Sequence, residues 1–166
     1  MKRMILLLLL ATLLLPGATC ESGSVSPGTA VAWFSPPALS VPPLTAFELE
    51  LWVTTSDKAQ AYEFSLQYDS SQIFLYDVVP HPDFDDDGQF FVEPQIDFAA
   101  GTVSGVVDLC HGNSAGPTGS FQIATLYGWS YADGVSTVAL SAGGVATEDG
   151  TDLTVTISDS VVTVTP

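Results

Sequence analysis

Ala61–Val79, AYEFSLQYDSSQIFLYDVV, is the stretch from which the fold class can be read. Tyr62, Phe64, Leu66 and Tyr68 alternate with Glu63, Ser65 and Gln67. Successive side chains of a strand point to opposite faces, so this half predicts a strand with one buried and one wet face. Asp69-Ser70-Ser71 supplies turn chemistry, and Ile73, Phe74 and Leu75 open a second apolar run. Two strands joined by a short polar turn are expected here.

The same pattern extends both ways. Upstream, Thr29–Phe34 reads as a first strand. Ser35–Thr45, with Pro36, Pro37, Pro42 and Pro43, reads as an extended edge or loop. Ala46–Val53 alternates again, with Phe47, Leu49, Leu51 and Val53 inward and Glu48, Glu50 and Trp52 outward. Downstream, strands are predicted over Thr102–Cys110, Phe121–Tyr131, Ser136–Ser141, Leu153–Thr156 and Ser160–Thr165. The turns between them are rich in Gly, Pro, Asp and Asn, and Gly143-Gly144 reads as one of them. Short apolar patches lie at Phe90–Val92 and Gln95–Phe98. Outside the N-terminal segment no run shows the 3.6-residue period of a helix. About nine short strands separated by turn residues predict an all-β sandwich. There is no internal repeat, and one domain is expected over residues 28–166.

Charge narrows the function classes. Nineteen acids face three bases among 166 residues, giving a formal net charge of −16, and Lys58 is the only base after Arg3. Such a surface repels phosphate backbones and anionic headgroups, which excludes nucleic-acid binding. Divalent cations or a saline medium would relieve the self-repulsion, and both fit an extracellular setting. The alternative is that the acids merely keep a β-rich protein soluble, with no specific ionic role.

The first nineteen residues have the layout of a secretory signal: basic Met1–Met4, a Leu-rich Ile5–Leu15, then small residues to Thr19. That apolar run is short for a membrane span, and no later run is long enough. Export without a transmembrane segment is expected, followed by a Ser/Gly-rich tether over residues 20–27. Gly17-Ala18-Thr19-Cys20 resembles the lipobox of bacterial lipoproteins, which would acylate Cys20 and supply a lipid anchor. Ordinary signal-peptidase cleavage near Thr19 or Ser22 is the alternative, and a Cys20–Cys110 disulfide is a third possibility.

Asp83-x-Asp85-x-Asp87-Gly88 matches the first half of a calcium loop, with alternate carboxylates able to converge on one hard cation. Its twelfth position is Pro94 where a bidentate Glu is needed, so a solvated acidic turn competes with a calcium site of another type. No other cofactor is implied. His81 and His111 lie in separate loops without a nucleophile motif or ligand spacing, and the many carboxylates form no recognisable pair. The chain reads as non-catalytic.

The order of elements resembles that of a cohesin domain, a nine-stranded jelly-roll-like sandwich related to carbohydrate-binding modules. The resemblance rests on AFELELWV, on FSLQYD followed by SSQIFLYDVV, on FAAGTVSGVV, on TGSFQIATL, and on DGTDLTVTISDSVVTV, which is similar to the closing hairpin. It implies a monomeric module whose partner is a dockerin-bearing protein, plausibly in a polysaccharide-degrading system. It places the binding surface at Glu63, Ser65 and Gln67 beside Thr102–Cys110. Aligned on Phe64–Asp69, the family's binding Asp and Asn fall at Glu63 and Ala61, both departures from the family pattern.

A rival reading takes polysaccharide as the direct partner, through Trp52, Trp129 and Tyr131 as outward aromatics, and a third is a structural envelope protein. The inward face of Phe121–Tyr131 stays open between two registers. The family match favours Leu126 inward, while hydrophobicity favours the aromatic side. Tyr127 is assigned to the core on the second ground, and Trp129 to neither side.

Overall fold

The computed structural model of the chain describes residues 25–84, 90–110 and 116–166. Among these described residues, eleven strands form two sheets. They are β1 (Thr29–Ser35), β2 (Ala38–Val41), β3 (Ala46–Thr55), β4 (Ala59–Gln67), β5 (Ile73–Pro80), β6 (Gln95–Asp97), β7 (Thr102–Leu109), β8 (Gly119–Ser130), β9 (Gly134–Thr147), β10 (Thr154–Ser158) and β11 (Ser160–Val164). One sheet has the order β10-β1-β3-β8-β5 and the other β2-β11-β9-β4-β7-β6. The nine expected strands are all present. The two additional ones, β2 and β6, are short edge strands. The Pro-rich stretch takes the edge position that its missing N–H donors allow.

The core lies between the sheets and is filled by the predicted inward residues. Phe47, Leu49, Leu51 and Val53 from β3 meet Tyr62, Phe64 and Leu66 from β4, all at most 5% exposed. Facing inner sides interdigitate in such sandwiches, and alternate residues along each strand supply them.

Three expectations need correction. The closing residues do not form a hairpin. β10 pairs in parallel with β1, whereas β11 pairs with β2 and β9 in the other sheet. The β1–β2 and β10–β11 segments thus cross between sheets side by side, and the Ser160 hydroxyl donates to Pro36 O across the crossing (2.9 Å). Gly143-Gly144 is not a turn, because β9 runs straight through it. A Cβ at Gly143 would overlap the Phe64 ring, so the glycine makes room for a core side chain.

The third correction concerns β8. Tyr127 faces outward and Leu126 is fully buried. Leu51 pairs with Ala124 but Trp52 with Gln122, so Ile123 is an extra residue in a bulge. Phe121 points inward before the bulge, Ile123 within it, and Ala124, Leu126, Gly128 and Ser130 after it. A single period of two cannot describe both halves. Gly128 leaves its inward position empty for Phe47, whose ring a Cβ there would overlap.

The Tyr-Asp turn of the opening stretch is tied down at several points. Asp69 Oδ1 accepts from Ser71 N (2.8 Å) and the Ser71 hydroxyl (2.6 Å), which hold the Asp69 carboxyl below its ordinary pKa. Tyr68 N donates to Gly101 O (2.8 Å), locking this turn to the one before β7. Burial raises the pKa of the Tyr68 phenol.

Candidate functional site: the outer face of β9-β4-β7

The predicted recognition residues share one surface. Glu63, Ser65 and Gln67 point outward from β4, a central strand flanked by β9 and β7. At about 3.3 Å per residue they form a row roughly 13 Å long.

The register supplies the neighbours. Ala61 lies between Leu109 and Ala146, Glu63 between Val107 and Gly144, and Gln67 between Thr102 and Ala139. Beside Ser65, β7 bulges at Ser104-Gly105, where Gly105 takes φ 73°, a value a side chain would resist. The β9 neighbour of Ser65 is Ala142.

The face is therefore almost flat and built of small residues, with a shallow depression lined in part by Ala61, Glu63, Ser65, Gly143, Gly144 and Ala146. A Cβ at Gly144 would meet nothing within 4 Å, so the space opposite Glu63 is open. Apolar side chains border one end: Leu109 is 39% exposed, and Val92, bridged to Val107, is 55% exposed. Glu63 is the only carboxylate in the β4 row, and a second exposed carboxylate, Asp152, bridged to Ala146, also lines the depression. Asp108 of β7 turns inward and is buried.

Such a surface suits docking of another macromolecule better than chemistry. Among the described residues no group of three or more His, Cys, Asp and Glu is placed to hold a metal ion. Asp83 stands at the end of a described segment, 3.4 Å from the His81 ring, while Asp85 and Asp87 lie outside the described residues. Cys20 does so too. Cys110 is buried, with its thiol donating to Phe84 O (2.9 Å). No helix among the described residues is long and apolar enough to cross a membrane.

The three aromatics proposed for sugar binding do not form one platform. Trp52 stacks on Trp33, with centroids 5.5 Å apart, and donates its indole N–H to Glu50 (2.9 Å). Trp129 pairs with Ala46, six positions along β3 from Trp52, a separation of about 20 Å. Only Trp129 and Tyr131 share a neighbourhood, beside Phe74. The aromatic cluster around Phe74 was missed in the sequence, because Phe74, Tyr76 and Phe98 sit in segments read as core or apolar patch.

No protein-family model matches the chain, and no curated protein matches it. Solved structures do match. The OlpA cohesin of Clostridium thermocellum, determined in a type I cohesin–dockerin complex, is similar with a TM-score of 0.71 at 12% identity, covering 82% of this chain and 99% of that one. A cohesin from Clostridium acetobutylicum gives 0.67 at 20% identity over 86% of this chain and 96% of its own. A non-cellulosomal cohesin from the archaeon Archaeoglobus fulgidus gives 0.63 at 14% identity over 83% and 91%. The chain has the fold of a cohesin domain.

Proposed function

We propose that this protein is an exported, non-catalytic module that captures a dockerin-bearing protein through the outer face of β9-β4-β7. Presentation at the cell surface, within a system that degrades polysaccharide, is part of the same reading. The observation that carries it is the surface just described: a flat sheet face of small residues with exposed carboxylates, Glu63 in its central row and Asp152 at its β9 side, and an apolar border. The fold shared with cohesins solved in complex with dockerins supports the choice of partner.

Small side chains let a partner approach the sheet closely, and the apolar border supplies area to bury. The acidic groups set polarity and register, so the matching partner surface presents cations or hydroxyl donors opposite Glu63 and Asp152. Ala61 offers no side-chain hydrogen bond, which leaves the polar part of recognition to Glu63, Ser65 and Gln67.

The test is binding of purified recombinant type I dockerins, calcium-loaded, to the wild-type chain and to Glu63→Lys, measured by calorimetry. Charge reversal is expected to weaken capture at least tenfold while the melting temperature stays put. Unchanged affinity would remove Glu63 from the interface, and no binding by the wild type to any dockerin tested would remove the partner class.

A further inference from the structure

Protein capture at the Glu63 face leaves unused a run of aromatic rings that begins on the outer face of the other sheet. Tyr127 of β8 lies 6.4 Å from Tyr76 of β5, and Tyr76 lies 6.2 Å from Phe74. At Phe74 the run forks to Tyr131, 6.1 Å away, and to Phe98 of the β6–β7 turn, 6.0 Å away and edge-on. Tyr76 is 44%, Phe98 53% and Tyr131 39% exposed, so the rings are offered to solvent rather than consumed by the core. Phe74, Phe98 and Tyr131 line a shallow groove together with Ser70.

We propose that this run is a second binding site, for a neutral pyranose polysaccharide. The faces of a pyranose ring carry C–H groups that pack on aromatic faces, while its hydroxyls reach the rim for hydrogen bonds. The rings are exposed, and polar groups border them. Three of the five rings are tyrosines with a phenol at the edge, and Asp77, directly opposite Tyr127 in the β5–β8 register, adds an exposed acceptor. The rings buttress one another, so little ordering is left for the moment of binding.

Shape and charge select the occupant. A line of rings forking at one end follows a linear polymer. A stable protein interface would need a broad patch, on the order of 800 Å² on each partner. Nineteen acids against three bases repel uronate and sulfate groups, leaving uncharged glycans as the class that can approach. The bulge at Tyr76, between Leu75 and Asp77 in the pairing with β8, makes the arrangement possible. It turns one extra side chain outward, beside Tyr127.

Native affinity electrophoresis through gels containing hydroxyethylcellulose, xyloglucan or polygalacturonate tests this. The wild-type chain is expected to be retarded in at least one of the two neutral gels and not by polygalacturonate. Tyr76→Ala with Tyr131→Ala should reduce the retardation at least tenfold, with an unchanged circular-dichroism spectrum. Glu63→Lys, on the protein-capture face, should be retarded as the wild type is, which separates this site from the dockerin reading. Equal mobility of the wild type in both neutral gels and in plain gel would overturn the proposal. So would full retardation of the double variant, or a wild-type dimer in light scattering that the double variant abolishes, which would make the rings an interface between copies.

Discussion

The two outer faces of this sandwich are built from opposite materials. The β9-β4-β7 face carries Ala61, Ser65, Ala142 and Gly144 around Glu63, with Asp152 at its border. The β8-β5 side carries Phe74, Tyr76, Tyr127 and Trp129. The core behind both is ordinary. Once the interior is filled, an outward position is free to vary, so one strand framework can present a smooth docking plane on one side and a ribbed aromatic one on the other. Surface chemistry, rather than fold, distinguishes the two sides.

The harshest way to break the comparison is to remove what both faces stand on. Phe64 is fully buried and its ring fills the space left by Gly143. Phe64→Ala should cost about 3–5 kcal/mol in urea denaturation and degrade both surfaces together. A sharper contrast comes from neighbouring glycines of β9. Gly143→Leu should destabilise by about 1–3 kcal/mol through overlap with Phe64. Gly144→Leu should change stability by no more than about 0.5 kcal/mol, because its Cβ meets only open space. Yet the added side chain stands opposite Glu63, so dockerin capture should fall at least tenfold in the same calorimetric assay. Loss of stability in both variants, or in neither, would show that the face is not layered in this way.

Next in size is Glu63→Lys, where a tenfold loss of capture corresponds to about 1.4 kcal/mol. The loss should shrink as salt is added, as expected of an exposed charge.

The smallest effect concerns pH and should not distinguish the faces. Hydrogen bonds from Ser71 hold Asp69, and those from Thr147 and Thr151 hold Asp149, below their ordinary value of 3.8. A carboxyl with a lowered folded pKa adds stability above its unfolded pKa and loses it as pH falls through the folded value. Thermal melts of Asp69→Asn and Asp149→Asn should lie slightly below wild type at pH 7 and converge with it well below pH 3.8. A constant gap across that range would mean that the hydrogen bonds act independently of charge.

Much of the fold was legible because one-sided burial leaves a period-two trace. Phe47 to Val53 and Tyr62 to Tyr68 alternate without a break over their inward positions, and each of these residues is buried. The trace fails wherever a bulge inserts a residue. Ile123 reverses the phase of β8, which is why its hydrophobicity pointed Tyr127 inward when the ring lies outside. Gly143-Gly144 misled for another reason. Tight packing and a turn can both call for glycine, and only the ring of Phe64 across the sheet distinguishes them. The outward row Glu63, Ser65 and Gln67 was readable because β4 keeps one phase throughout that row. Its neighbours were not, since register joins strands far apart in the chain.

The sequence by itself determined the class of this protein. Alternation, turn residues and the absence of a helical period require a sandwich, and the charge balance turns away anionic partners. Only the tertiary structure decided which side chains share a surface. It set Gly144 beside Glu63, separated Trp52 from Trp129, and gathered Phe74, Tyr76, Phe98, Tyr127 and Tyr131 from three separate segments. The physical reason is that burial is encoded locally, residue by residue. Adjacency is set by strand pairing and bulges, which depend on partners distant in sequence.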